Sequence, residues 1–134
     1  MYFAAADCTG HGVERAIVSV VSVNGLNRVL RELGLRKPGG ILDKTWDLVI
    51  KEFEKSEEEV KDGMDISLCA LNTKTKNLHW TPIDNPLCIV RKGVDEMEEI
   101  QVDKQPIGKF EWAKPFITNE VNLNDGRNHL HFQR

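Results

Sequence analysis

The sequence AADCTGHG, residues 5–12, joins a short apolar run to a long segment with a helical apolar pattern. An apolar run that ends in a carboxylate and turns through glycines into a helix can hold an anion or a metal ion, because the carboxylate supplies charge and glycine lets backbone groups approach closely. A plain strand-to-helix turn, in which Asp7 or Thr9 only caps the helix, explains the same spacing equally well. Both interpretations stay open at this point.

The composition is typical of one globular domain or a large part of one. The 134 residues are 40% hydrophobic and 29% charged, with a net charge of −3. Charges of both signs are mixed along the chain, so we expect neither nucleic acid nor a membrane surface as a partner. No apolar run reaches the ~20 residues of a membrane span, and the first residues do not have the pattern of a signal peptide. The cysteines Cys8, Cys69 and Cys88 form no CxxC pair, which is typical of reduced core thiols and favours the cytoplasm.

Two amphipathic helices are predicted after the opening stretch. Apolar residues recur every three or four positions from Val13 to Leu33, and Gly34 follows where a helix can end. We expect the buried stripe to contain Ala16, Ile17, Val20, Val21, Val23, Leu26, Leu30 and Leu33. The charged face that includes Arg15 is interpreted as solvated. A second helix is predicted over residues 41–55, with Pro38 near its start.

The remaining pattern is that of β-strands. Strands are predicted over residues 1–6, 64–71, 78–81, 87–91, 99–102 and 116–123, with weaker alternation in the final segment. The first is expected to be buried. The strands between residues 64 and 102 are predicted to form a four-stranded antiparallel meander, because short polar turns separate them.

Acidic residues at predicted turns are candidate ligands for a metal ion. They are Asp7, Asp62, Asp65, Asp84 and Asp103. Two or three carboxylates that converge on Mg²⁺ or Mn²⁺ would suit phosphate chemistry, but the spacing does not say which of them meet. For Asp62 and Asp65 an ordinary turn into a strand is the alternative. His11, between two glycines, is either a general acid or a polar turn residue.

Several of these motifs occur in an order that resembles a known family. They are AADCTGHG at 5–12, Pro38 with Ile41-Leu42, DGMDISL at 62–68, DNPL at 84–87 and DKQPIG at 103–108. The order resembles that of the metal-dependent Ser/Thr protein phosphatases of the 2C type (PPM), in the bacterial branch named after the stage II sporulation phosphatase (SpoIIE-like). The resemblance runs over residues 1–126, which we interpret as a partial phosphatase domain, and residues 127–134 as a tail that departs from the family.

The resemblance implies an α/β fold, an antiparallel β-sandwich flanked by helices, here expected to be incomplete at both ends. It implies a hydrolase of signal transduction that removes phosphate from phosphoserine or phosphothreonine on a regulatory protein, such as an anti-sigma antagonist. The implied cofactors are two Mn²⁺ or Mg²⁺ ions, which activate a water that attacks phosphorus. By the match of motifs, Asp7 and the backbone carbonyl of Cys8 are metal ligands, and His11 is the candidate catalytic acid.

Some parts of the family pattern are missing from the 134 residues. The family has a Gly-Gly-Asp-Phe-type motif before the first strand and a Ser-Asp-Gly-type motif and a final acidic motif after residue 126. We therefore expect a truncated catalytic domain that binds metal weakly, because each lost carboxylate removes charge and chelation. The alternative function is a catalytically inactive phosphatase fragment or a protein-binding module. Open sheet edges would also allow the chain to form oligomers.

Overall fold

The computed structural model describes residues 1–8, 10–55, 63–84, 86–91, 93, 97–100, 114–123 and 128–132 of the chain. The elements in chain order are β1 (Tyr2–Cys8), α1 (Gly12–Glu32), α2 (Pro38–Glu54), β2 (Met64–Leu71), β3 (Asn77–Ile83), β4 (Leu87–Arg91), β5 (Met97–Ile100), β6 (Asn119–Asn122) and β7 (Asn128–Phe132). Among the residues so described, no helix has the length and apolar character needed to cross a membrane.

The strands form two antiparallel sheets, with the orders β1-β2-β3-β6 and β5-β4-β7. The predicted meander is therefore wrong at one connection, because β3 and β4 lie in different sheets. Asp84 adopts a left-handed backbone conformation (φ 50°), and the nearby Pro86 has no N–H to donate to a hairpin ladder. The chain leaves the first sheet there, and β3 pairs with the distant β6 instead of β4.

The two sheets enclose one of two apolar clusters. Its buried members are Cys69, Leu78, Trp80, Leu87, Ile89 and Leu123. Alternate residues of β2 and β3 point into this cluster, as expected for strands whose side chains alternate between faces. Trp80 is fully buried, and its indole Nε1 donates a hydrogen bond of 3.2 Å to the Oγ of Ser67.

The helices cover the other face of the first sheet. The second cluster contains Val29, Ile41, Leu42, Met64, Ile66, Leu68 and Ile83 as its buried members. Helix α2 begins at Pro38 rather than at residue 41, with the proline in the first turn, where its missing N–H costs nothing. Gly34 has φ 62°, which confirms the predicted end of α1.

The predicted inner face of α1 is only partly right. Leu26 and Leu30 pack against the second cluster, as predicted, but much of the rest of the predicted stripe is exposed. Val13, Ile17, Val20, Val23 and Leu33 are exposed, while the buried residues are Val18, Ser22 and Val29. The helix has apolar residues on two opposite sides, so their spacing alone does not select the inner one. Close contact with α2 selects it: a Cβ on Gly25 would lie 3.5 Å from Val49, which leaves little room for a larger side chain.

Strand β1 lies on the outside of its sheet in the described part of the chain. The prediction of a buried strand over residues 1–6 is therefore wrong in environment, since Tyr2, Ala4 and Ala6 are exposed. The strand also extends two residues further, to Cys8. The weak alternation at the end of the sequence does correspond to a strand, because β7 pairs with β4.

Candidate functional site

The end of β1 and the start of α1 form the turn that the sequence singled out. Gly10 (φ 99°) and Gly12 (φ 59°) both have left-handed backbone conformations that other residues rarely adopt. A Cβ on Gly12 would meet nothing within 4 Å, so conformation rather than space requires glycine there. The N-cap residue of α1 is His11, whose side chain makes no capping hydrogen bond. Asp7 is therefore not the cap of this helix.

Three aspartates come together at this edge of the first sheet. Asp7 in β1 is paired directly with Asp65 in β2. Ile66 is paired with Ile83, so Asp84, which follows Ile83, lies beside Asp65 at the same end of the strands. Residues directly opposite in antiparallel strands share a face and have Cβ atoms about 5 Å apart. The register thus gathers carboxylates that are far apart in sequence.

The negative charges of these three aspartates repel one another. The pKa of the Asp65 carboxyl is raised above its ordinary value, first by burial and then by the negative charges of Asp84 and Asp7. Each neighbouring carboxylate makes ionisation of Asp65 less favourable, because like charges repel across a short distance. A cation near this edge would relieve that repulsion.

A cation of the chain itself already contacts Asp7. Arg15 Nη2 donates to Asp7 Oδ1 at 2.8 Å, with 51% of the arginine side chain and 32% of the aspartate side chain exposed. Arg15 is exposed, as predicted for its charged face, but its ion pair with Asp7 is not predicted by that pattern. The sequence position of Arg15 does indicate such a contact, because a cation in the first turn of a helix opposes the helix dipole and is stabilised by an anionic partner elsewhere.

The donors at this edge fit a divalent cation in type but not in number. Carboxylate oxygens are the ligands that Mg²⁺ and Mn²⁺ prefer. Within the described residues, however, no group of three or more His, Cys, Asp or Glu side chains could hold a metal ion. Thr9, Asp62 and Asp103 lie outside the described residues. The described part of the chain does not complete a metal centre by itself.

The other expected site residues lie in the same turn. Cys8 ends β1, and its half-buried side chain packs against the cluster beneath the helices, which leaves its main chain at the strand end beside Asp7. His11 is exposed at the N-cap. Asp7, Cys8 and His11 are thus brought together by adjacency in the chain, while Asp65 and Asp84 join them through the sheet.

A surface cavity of about 600 Å³ lies at the opposite end of β2. Its lining includes Tyr2, Leu71, Lys74 and His79. Six residues of strand separate Leu71 from Asp65, which corresponds to about 20 Å. His79 Nε2 lies 3.7 Å from the Glu120 carboxylate, a cross-strand contact between β3 and β6. This cavity is therefore separate from the acidic edge.

The chain matches a known protein family and several solved structures. Residues 1–128 match the family model described as stage II sporulation protein E (SpoIIE). No curated protein sequence matches the chain. Among solved structures, the SiaA PP2C domain of Pseudomonas aeruginosa is similar with a TM-score of 0.74 and 21% identity, over 91% of this chain and 46% of that one.

Two further solved structures are similar in fold. The RsbU and RsbW domains of a Mycobacterium tuberculosis protein give a TM-score of 0.67 at 18% identity, over 92% of this chain and 32% of that one. The PP2C phosphatase domain of SpoIIE from Bacillus subtilis, solved with a fragment of its regulatory domain, gives 0.62 at 19% identity, over 92% and 34%. The chain spans less than half the length of these three solved chains. At these identities the matches show the fold, and they confirm the expected 2C-phosphatase-like antiparallel β-sandwich with helices.

Proposed function

The chain belongs to the stage II sporulation protein E (SpoIIE) family, and on that premise we propose that it forms part of a 2C-type Ser/Thr protein phosphatase domain. The proposed reaction is hydrolysis of phosphoserine or phosphothreonine on a regulatory protein, such as an anti-sigma antagonist. The observation that carries the proposal is the register that sets Asp7 against Asp65 at one sheet edge. Such an anionic edge attracts divalent cations.

The residues of the turn have separate proposed roles. Asp7 holds a cation through its carboxylate, and the backbone carbonyl of Cys8 offers another hard oxygen next to it. His11 is exposed beside them and is proposed to give a proton to the leaving serine or threonine oxygen. Two ions, Mn²⁺ or Mg²⁺, supply charge neutralisation and an activated water when they are bound. Gly10 and Gly12 keep these groups adjacent through their left-handed conformations.

A second candidate function is a catalytically inactive phosphatase fragment or a protein-binding module. Two observations favour it: Asp7 is paired with Arg15, and no three-ligand group occurs among the described residues. The fold in this case presents a surface to a partner protein and performs no hydrolysis. The two functions differ in whether metal binding and turnover depend on Asp7.

The test compares the chain with Asp7→Ala and with the matched control Asp47→Ala. Asp47 is an exposed aspartate of α2 that pairs with Lys44 on the same helix. Calorimetric titration with Mn²⁺ and turnover of p-nitrophenyl phosphate are measured for each protein. The phosphatase proposal expects binding and turnover that Asp7→Ala abolishes and Asp47→Ala preserves. Absence of both in the unmodified chain would leave the inactive module as the function of this chain.

Further proposals concern the domain boundary and the oligomeric state. We propose residues 1–126 as the phosphatase part and 127–134 as a divergent tail, of which residues 128–132 form β7. The outer edge of β1 pairs with no described strand, and we propose that a second copy pairs with it there. Concentration-dependent sedimentation tests this oligomer, and sedimentation as a monomer at every concentration would reject it.

The proposed compartment is the cytoplasm. Cys8, Cys69 and Cys88 are all free thiols, as is usual where the environment is reducing. Cys69 and Cys88 are buried in the sandwich, and burial raises the pKa of the Cys69 thiol to about 12, which keeps it protonated and unreactive. Imaging of the tagged chain in a bacterial cell tests the compartment.

A further inference from the structure

The ion pair between Arg15 and Asp7 joins two elements, unlike the other side-chain ion pairs of the two helices. Arg28–Glu32 and Lys44–Asp47 each lie within one helix, and Lys55–Glu52 joins the C-cap of α2 to its last turn. Arg15 instead reaches from the first turn of α1 to the carboxylate at the end of β1, with a distance of 2.8 Å between Nη2 and Oδ1. This pair therefore links the helix start to the strand end.

The position of Arg15 is unfavourable for the helix taken by itself. The N-terminus of a helix carries a partial positive charge, so a cation near it is repelled, and Glu14 in the first turn offsets part of this repulsion. Asp7 has the opposite problem, because it lies in a row of carboxylates with Asp65 and Asp84. Contact between the guanidinium and Asp7 relieves both repulsions. The pair is thus explained by the charges around it.

We propose that Arg15 is the resident counter-ion of Asp7 and that a divalent cation must displace its guanidinium in order to bind there. The inference rests on the proposed function, because it takes Asp7 as a metal ligand. Both partners are partly exposed, so solvent ions can reach the carboxylate and the arginine can swing away into water. Arg15 is a positioning residue that sets the cation concentration at which Asp7 becomes occupied.

The competition predicts a change in affinity of definite sign. An exposed ion pair is weak, and its removal changes a dissociation constant by up to about fivefold. Arg15→Gln keeps most of the side-chain length and removes the charge, so we expect Mn²⁺ to bind more tightly, by up to about fivefold. Arg15→Lys keeps the charge and should change the affinity less. Arg28→Gln removes the same charge from the same helix about 20 Å further along its axis, and should leave the affinity unchanged.

The experiment titrates the 134-residue chain with Mn²⁺ and follows the electron paramagnetic resonance signal of the free ion. The variants are Arg15→Gln, Arg15→Lys, Arg28→Gln and Asp7→Asn, and far-ultraviolet circular dichroism checks that each is folded. Tighter binding in Arg15→Gln alone, or binding that appears only in that variant, supports the inference. Equal or weaker binding in Arg15→Gln overturns it, because the arginine would then not compete with the metal.

The same titration separates the two proposals. If Asp7→Asn abolishes binding but Arg15→Gln does not tighten it, the counter-ion role fails and the proposed metal ligand stands. If Asp7→Asn leaves binding unchanged, or if neither the unmodified chain nor Arg15→Gln binds Mn²⁺, both the inference and the metal role of Asp7 are rejected.

Discussion

Two neighbouring glycines of α2 provide a matched pair of substitutions. Both lie in the first turn of the helix, at positions 39 and 40. A Cβ on Gly39 would clash with the carbonyl oxygen of Phe116 and lie 2.8 Å from the Oγ1 of Thr118, whereas a Cβ on Gly40 would meet nothing within 4 Å. Gly39→Ala and Gly40→Ala therefore gain the same helical preference and differ in the space available.

The contacts around Gly39 set the size of the difference. Alanine is favoured over glycine in a helix by up to about 1 kcal/mol, which is the whole effect expected for Gly40→Ala. At Gly39 the backbone of residues 114–118 must move away, and this breaks both the 2.9 Å bond from Gly39 N–H to Thr118 Oγ1 and the 3.0 Å bond from Phe116 N–H to Asp43 Oδ1. Their loss costs about 1 kcal/mol for the neutral bond and about 2 kcal/mol for the charged one. After the helical gain, Gly39→Ala should lower the free energy of unfolding by about 2 kcal/mol.

Urea denaturation followed by circular dichroism measures both variants under the same conditions. We expect the midpoint to fall for Gly39→Ala and to rise slightly for Gly40→Ala, with unchanged slopes, because neither substitution alters the surface exposed on unfolding. Equal midpoints for the two variants would refute the reasoning, since residues 114–118 would then not be packed against the start of α2.

Three further predictions follow from single side chains. The pKa of Asp65 is raised in the folded state, so its ionisation lowers stability at neutral pH and the penalty disappears below the ordinary value of 3.8. Asp65→Asn should therefore raise the urea midpoint at pH 7 but not at pH 3, and an equal gain at both pH values would contradict this. Val20 is 60% exposed, so Val20→Lys should change the free energy of unfolding by less than about 0.5 kcal/mol. Val18 is only 2% exposed, so Val18→Lys should lower the free energy of unfolding by at least ~3 kcal/mol. The reverse order would place the other face of α1 inside. Trp80→Phe removes the buried hydrogen bond to Ser67 and part of the sandwich core, and should lower the free energy of unfolding by about 2 kcal/mol. Calorimetry that shows no loss of stability would argue against that packing.

The local elements could be predicted from the sequence because periodicity reports them directly. Alternation over residues 64–71 and the glycine at 34 gave a strand and a helix end that the structure confirms. The sheet order could not be predicted in this way. Alternation identifies a strand but not its neighbour, and β6, which lies beside β3 in place of β4, is distant from it in sequence.

The candidate site was predictable in part. Asp7 and the glycine turn are contiguous, so their proximity follows from the chain itself. The meeting of Asp7 with Asp65 and Asp84 needs the register of three strands, which no spacing reveals. The charged face of α1 predicts a solvated Arg15, and only the position of that helix relative to β1 brings its guanidinium to Asp7.

The length of strand β1 sets the distance between the core and the acidic edge. Phe3 packs into the cluster between the sheets, and Asp7, four residues later, stands opposite Asp65. An even separation along a strand puts both side chains on one face. Deletion of one alanine between them would force either Phe3 out of the core or Asp7 away from Asp65. The repetitive segment Ala4–Ala6, which looks the least informative part of the sequence, therefore carries its information in its length.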